Sequence, residues 1–412
     1  MSNKHIVIVG AGYGGLLSAV KLKQKFKNRK DIAITVVDKR DYQLLTFDLY
    51  EAATSEEEFV TTKQLQKSIT LPVKEILDKI GVSFVQAEVK SADLRSCNLQ
   101  LAGKNLAYDY LVLAAGSVAD DLGVQGALDF GVPLKTFEDA LRLRNRIEFA
   151  FQAHTQDMTK KNLRFVVAGG GYTGCEVAGE LNKLKNILCW KYNYPPEKVE
   201  ILVVEAAGAL IPGFSKNLSR DAFMRLQEIG VRVMFSGRIA SVSQQFVELM
   251  SGEKIAYDCL IWTVGVRARS LSVTLPVELD SKGRFKVNQF LQLRNYSNVF
   301  SVGDLAGVLQ KDGRPVPQSA QDAIEQAEYL AEALPSIMEN KQPKVFEPKS
   351  HGFIVTLGGR WAIMDYNGFY IKGQLAYFIR ALAHMRYLSN FYGWVRAAYY
   401  VAFQVKIFGR ND

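Results

Sequence analysis

Cysteine is scarce in this chain. Its 412 residues contain four, Cys97, Cys175, Cys189 and Cys259, and no C-x-x-C pair. That spacing excludes a disulfide framework, a zinc pattern and a local dithiol redox centre, so no metal is expected and a reducing compartment suits the protein. Acids are missing from the C-terminus, with no Asp or Glu from Tyr366 to Asn411. Long apolar runs are missing too. The charge-free stretches fall far short of the ~20 residues that span a bilayer, and no signal-peptide pattern precedes the first apolar segment. What remains is ordinary for a globular chain, 48% hydrophobic and 23% charged, and long enough for two or three domains. The net charge of +9 calls for an acidic partner, either nucleic acid or an anionic membrane.

The organising stretch is at the N-terminus. Ile6 to Val9 predict a short buried strand, followed by G-x-G-x-x-G at Gly10, Gly12 and Gly15, opening a helix. The first glycine permits the tight turn, the second lets backbone approach a pyrophosphate, and the third lets helix and strand pack closely. The helix start offers free amides to phosphates. A second strand, Ile32 to Val37, ends in Asp38, a carboxylate suited to a ribose hydroxyl pair. A glycine motif alone could be a bare turn; strand, glycines, helix, strand and acid in order predict a dinucleotide-binding unit.

Residues 39–54 are too irregular for a strand and are expected to wrap over a ligand. Helices follow at Glu56–Lys67 and Leu71–Lys79, then a strand at Val82–Val89 and a hairpin beginning at Leu99–Leu101. Tyr108 to Ser117 form a strand closing in Ala114-Ala115-Gly116, small residues that let backbone lie on a flat cofactor or simply pack in a core. A long helix runs from Thr136 to about Gln152, and the polar His154–Asn162 is expected to be a linker.

The design then recurs. Leu163 to Ala168 lead into Gly169, Gly171 and Gly174, and a strand over Val199–Val204 ends in Glu205. An acid there favours NADH, since a 2′-phosphate would meet a like charge. Ile255 to Val266 repeat the plan of residues 108–117, and Asn298 to Gly307 form a strand ending in Gly303-Asp304. That acid could accept hydrogen bonds from a flavin's ribityl hydroxyls, or mark an ordinary turn.

With both glycine motifs, the Ala-Ala-Gly and Thr-Val-Gly strands and Gly303-Asp304, the chain resembles the two-dinucleotide-domain flavoproteins. Three stretches resemble type II NADH dehydrogenases in particular: 116–127 with 133–136, 171–181, and Ser319-Ala-Gln-Asp-Ala323. The resemblance implies an α/β, glutathione-reductase-like fold with two Rossmann-like domains and a C-terminal membrane-associating helical region. It implies an FAD domain over 1–155 and 290–345, an NADH domain over 160–289, and a membrane-interface or dimer region over 346–412. FAD would be bound tightly and non-covalently through Gly10, Gly12, Gly14, Gly15, Asp38, Lys39, Thr46, Ala115, Gly116, Gly303, Asp304, Ala320 and Gln321. NADH, as substrate, would meet Gly169, Gly170, Gly171, Tyr172, Thr173, Gly174, Glu205 and Gly265. Gln321 would orient a quinone, and Glu176 would sit between the nicotinamide and quinone faces of the flavin. Three positions depart from the family: Glu325 where a second amide is common, with Gln326 beside it, Tyr172 for a proline, and Phe47 for the proline of a Thr-Pro pair.

The C-terminus bears on the partner. Lys372, Arg380, Arg386, Arg396, Lys406, Arg410 and His384 are interleaved with ten aromatics. Helical spacing puts Leu375, Phe378, Ile379, Leu382 and Met385 on one face, continued by Phe391, Val395, Ala398 and Ala402. A basic, aromatic amphipathic stretch suits an anionic membrane interface; packing on the core or on a second subunit is the alternative. Nothing resembles a nucleic-acid module. The reading is a peripheral flavoprotein on the cytoplasmic side of the inner membrane, a homodimer, moving two electrons from NADH through FAD to a membrane quinone without pumping protons. Rivals are a sulfide:quinone reductase, which needs a cysteine pair that the C-terminal third does not supply, and a redox sensor of the apoptosis-inducing-factor type.

Overall fold

The computed structural model describes residues 3–408 except 57, 59, 158–161, 275, 350–351 and 367. Arg410, and residues 158–161 of the expected linker after the long helix, lie outside the described residues. Two compact units account for the chain. The first comprises Met1–Leu44, Thr70–Val118 and Val266–His351; the second comprises Leu45–Ile69, Ala119–Gly265 and Gly352–Asp412.

These boundaries differ from the expected joints near residues 155–160 and 289–290, and strand pairing gives the reason. Val132–Pro133 runs parallel to Cys259–Trp262, and the helix Phe137–Gln156 packs on the same sheet, so both go with the second unit. Ser272–Val273 joins Val89–Asp93 and Phe285–Lys286 joins Ala306–Gly307, which ties this stretch to the first. Residues from Gly352 onward cluster with the second unit rather than standing apart.

A five-stranded sheet centres the first unit, in the order Val299–Ser301, Tyr110–Leu113, Lys4–Val9, Ile32–Asp38, Ser83–Gln86. Every pairing is parallel. Its central strand is apolar at consecutive positions because both faces are covered: Ile6, Val7 and Ile8 are fully buried, each stabilising by about 1.5–3 kcal/mol. The helix after the first glycine motif, Tyr13–Lys25, packs along Ala320–Met338. The expected hairpin is present as Asn98–Leu101 against Lys104–Ala107. Leu71 and Pro72 belong to a short strand, Thr70–Pro72, and the helix starts only at Val73, since Pro72 is extended.

The second unit repeats the parallel plan with Val132–Pro133, Cys259–Trp262, Leu163–Ala168, Val199–Val204 and Arg232–Met234. Its long helix starts at Thr136, whose hydroxyl accepts from Asp139 N while Asp139 accepts from Thr136 N, a reciprocal cap worth about 1 kcal/mol. It runs four residues past the expected end and takes in His154, buried with its ring 2.8 Å from Asp258. The expected helix at Glu56–Lys67 is formed over Thr62–Ile69. The unit ends in a three-stranded antiparallel sheet and a helix, Gln374–Phe408, broken at Gly393 by a φ of 72°. Among the described residues no helix is long and apolar enough to cross a membrane.

Candidate functional site

The two glycine loops are built alike, bond for bond. Gly10 N donates to Val37 O at 2.8 Å and Gly169 N to Val204 O at 2.8 Å. Both first glycines have positive φ, 102° and 95°, where a side chain is strained. A Cβ on Gly15 would lie 1.9 Å from Gly10 O, and one on Gly174 would lie 1.9 Å from Gly169 O. The third glycines are therefore fixed by packing. The middle glycines differ: a Cβ on Gly12 or Gly171 would meet nothing within 4 Å. No protein contact demands glycine there, and the space in front of each helix start is open.

The acids at the second strand ends anchor these loops. Asp38 accepts from Ala11 N at 2.6 Å and Arg40 N at 2.9 Å. Glu205 accepts from Gly170 N at 2.6 Å and Ala207 N at 2.7 Å. Each oxygen takes one backbone donor and keeps lone-pair capacity, so loop anchoring leaves room for ribose hydroxyls. The duplication extends further back: His5 N donates to Asp109 at 2.8 Å, and Arg164 N donates to Asp258 at 2.8 Å.

In the first unit, Ala114 and Ala115 pack under Gly10, and Gly116, with φ 73°, has open space on its Cβ side. Asp304 lies in the short turn Gly303–Leu305 and takes the Ser117 hydroxyl; its carbonyl accepts from Gln318 Nε2 at 2.9 Å. Gln318 Oε1 is buried without a hydrogen-bond partner. Gly303 N donates to Gln326 Oε1 at 2.7 Å. Gln326, adjacent to the expected amide position, thus holds the turn, while Glu325 accepts from Lys349 N. Gln321 is exposed in the first turn of Ala320–Met338, whose cap is Ser319. Gly14 packs on Val302; Lys39 is exposed and Ala320 half-buried. Thr46 is exposed in the second unit, not the first.

In the second unit, Thr263 does the work of Ala114, and its hydroxyl donates to Ala168 O at 2.8 Å. Gly265 is exposed, and its carbonyl accepts from Asp120 N. Tyr172 and Thr173 open the helix Tyr172–Lys191, with Tyr172 5.5 Å from Phe353 and Phe353 4.1 Å from Phe214, ring to ring. Cys175 is fully buried, and burial pushes its thiol far above the usual range. Glu176 is partly buried, and burial pushes its carboxyl up to about 8 against the pull of Arg380.

The family model for pyridine nucleotide-disulphide oxidoreductases matches residues 4–327. The type II NADH:quinone oxidoreductase of Staphylococcus aureus is 30% identical over 389 residues, 93% of this chain and 94% of its own. The chain belongs to the type II NADH:quinone oxidoreductases. The Staphylococcus saprophyticus member of the family is 29% identical over the same length. In fold, NDH2 from Plasmodium falciparum, solved in complex with NADH, matches with a TM-score of 0.85 at 18% identity, covering 99% of both chains. The sulfide:quinone oxidoreductase of Aquifex aeolicus has the same fold, with a TM-score of 0.76 at 18% identity over 96% of this chain and 92% of its own.

One correction within this family pattern concerns the basic C-terminus. Arg380 does not face outward. It is buried, donating to Asp48 at 2.7 Å, Phe47 O at 3.1 Å and Glu51 at 3.2 Å. Lys372 reaches Asp221 at 3.1 Å. The sequence alone offered no signal for these partners, because Asp48 and Glu51 sit in a segment without periodicity.

Proposed function

We propose that this family member carries out the NADH:quinone oxidoreductase reaction with the first unit as its FAD domain and the second as its NADH domain. The carrying observation is the doubled acid-anchored glycine loop with open space at Gly12 and Gly171. FAD, when bound, supplies the two-electron chemistry. Gly10, Gly12, Gly14, Gly15 and Asp38 would cradle its diphosphate and ribose, with Lys39, Ala115, Gly116, Ala320 and Asp304 lining the rest. Asp304 is partly occupied by Ser117, so ribityl contact would be shared with that hydroxyl. Gly169 to Gly174, with Tyr172 and Thr173, would seat NADH, Glu205 would take its ribose hydroxyls, and Gly265 would border the nicotinamide. Arg220 is engaged by Asp221 at 3.0 Å, which favours NADH over NADPH.

Gln321 is exposed and able to orient a quinone carbonyl. Glu176 is proposed to supply a proton as quinol forms, a role its raised pKa suits. The buried Cys175 argues against sulfide chemistry, since a thiol so far from ionisation makes a poor nucleophile.

The C-terminal helix supports membrane docking. Leu375, Phe378 and Leu382 are 58–60% exposed, as is Trp394 at 59%, whereas the polar Arg380 and Gln404 are buried. An apolar outer face with exposed Arg386, Arg396 and Lys406 suits an anionic lipid surface on the cytoplasmic side. A homodimer is the competing use of this face, and vesicle binding decides between them.

Stopped-flow mixing tests the assignment. NADH should bleach the yellow holoprotein, and a short-chain quinone should restore the colour. Bleaching without recovery, or bleaching by sulfide and not NADH, would overturn it.

A further inference from the structure

Quinol formation requires two electrons and two protons, and NADH brings two electrons with one proton as hydride. The balance is NADH + H⁺ + quinone giving NAD⁺ + quinol, so the protein must deliver one proton per turnover. Glu176 can give that proton only once before it is recharged.

A short polar chain leads from Glu176 to Glu51 within the second unit. Thr356 Oγ1 lies 3.5 Å from Glu176 Oε1 and 2.6 Å from the Tyr50 hydroxyl. The Tyr50 hydroxyl lies 3.2 Å from Glu51 Oε1. Tyr50 is 2%, Thr356 1% and Glu51 9% exposed. Two carboxyl groups are thus joined by two buried hydroxyls. A hydroxyl both donates and accepts, so either orientation of the pair is allowed. Thr356 has one proton to give and two acceptors within reach, Tyr50 and Glu176, which is the bistability a relay needs.

Arg380 sets the charge. Its guanidinium donates to Glu51 and Asp48, and the Gln404 amide donates to Asp48 at 2.6 Å. His384, 3.8 Å from Asp48, is held neutral by burial and by Arg380. Among the described residues, the titratable and charged groups facing this chain are Arg380, the neutral His384 and three carboxyls, Asp48, Glu51 and Glu176. Burial raises the Asp48 and Glu176 carboxyls above their ordinary range, against the pull of Arg380.

We propose that Tyr50 and Thr356 are a two-hydroxyl proton relay that recharges Glu176 from solvent by way of Glu51, beside Asp48 and Arg380, during quinone reduction. A proton taken up from solvent by way of Glu51 passes to the Tyr50 oxygen. Tyr50 passes its own to Thr356, and the Thr356 hydroxyl proton ends on Glu176. Net, one proton from solvent neutralises Glu176, Glu51 ends as it began beside Arg380, and no electron is exchanged. This rests on the role of Glu176 proposed above.

Paired variants of Thr356 test it. Thr356→Val keeps the shape and removes the hydroxyl; Thr356→Ser keeps the hydroxyl. Reoxidation of the NADH-reduced holoprotein by quinone should slow about tenfold or more in Thr356→Val, with an altered pH profile and solvent isotope effect, and Thr356→Ser should restore it. A second readout needs no turnover: infrared difference spectra on a pH jump should show a protonated carboxyl band that Glu176→Gln and Glu51→Gln each perturb. Parent-like reoxidation in Thr356→Val, equal slowing in Val and Ser, or a band that ignores Glu51→Gln would each overturn the relay. Parent-like reoxidation in Glu176→Gln would instead overturn the underlying role of Glu176.

Discussion

Arg380 Nη2 donates to Asp48 Oδ1 at 2.7 Å, joining the C-terminal helix to a short turn 332 residues earlier. Both side chains are at least nine-tenths enclosed. Removing Arg380 takes the cation and its hydrogen bonds from the buried Asp48 and Glu51 carboxyls at once. Arg380→Ala should therefore cost about 3–5 kcal/mol, visible as a large fall in melting temperature. Asp48→Asn, which strands no anion and leaves Glu51 on the guanidinium, should cost distinctly less in the same scan.

The glycine loops separate binding from folding. Gly12→Ala and Gly171→Ala place a methyl in open space, so both should melt as the parent does. They should lose affinity by about tenfold or more, roughly 1.4 kcal/mol, for FAD and NADH respectively, measured by flavin retention and by NADH titration. Gly15→Ala and Gly174→Ala would drive a methyl into a carbonyl oxygen at 1.9 Å and should lose stability as well as ligand.

Stability should fall as pH rises toward 8. The Glu176 carboxyl is raised to about 8 by burial, whereas in the unfolded chain it titrates near ~4.3. Between those values the folded protein holds a proton that the unfolded chain has released, so unfolding is favoured as pH rises through the window. Glu176→Gln cannot ionise and should flatten that slope. Calorimetry should find the variant close to the parent near the lower value and about 2 °C or more above it near the upper.

The outer face of the last helix should govern lipid binding. Replacing Leu375, Phe378 and Leu382 together by Ser should weaken flotation with phosphatidylglycerol vesicles by about tenfold or more. Folding should be unaffected, since the three side chains are 58–60% exposed. Unchanged flotation with a shift from dimer to monomer would assign the face to a second subunit.

Legibility followed the range of the interaction. Strand–glycine–helix units read directly because their causes are local: Gly10 needs a positive φ, Gly15 must clear a carbonyl five residues away, and parallel strands covered on both faces are apolar throughout. The strand Val199–Val204 lies where the apolar run predicts it. Errors arose where a distant partner decided. His154 reads as polar linker, yet Asp258 draws it into the helix. Arg380 reads as surface charge, yet desolvated carboxylates hold it inside.

By itself, then, the chain determined the two dinucleotide units, their order and the acids that close them, because each depends on neighbours in sequence and on backbone geometry. Only the tertiary structure decided which polar residues share an interior. Asp48, Tyr50, Glu51, Glu176, Thr356 and Arg380 come from three separate stretches of the chain. Their pairing is set by the cost of burying charge, which exists only once packing has removed the water.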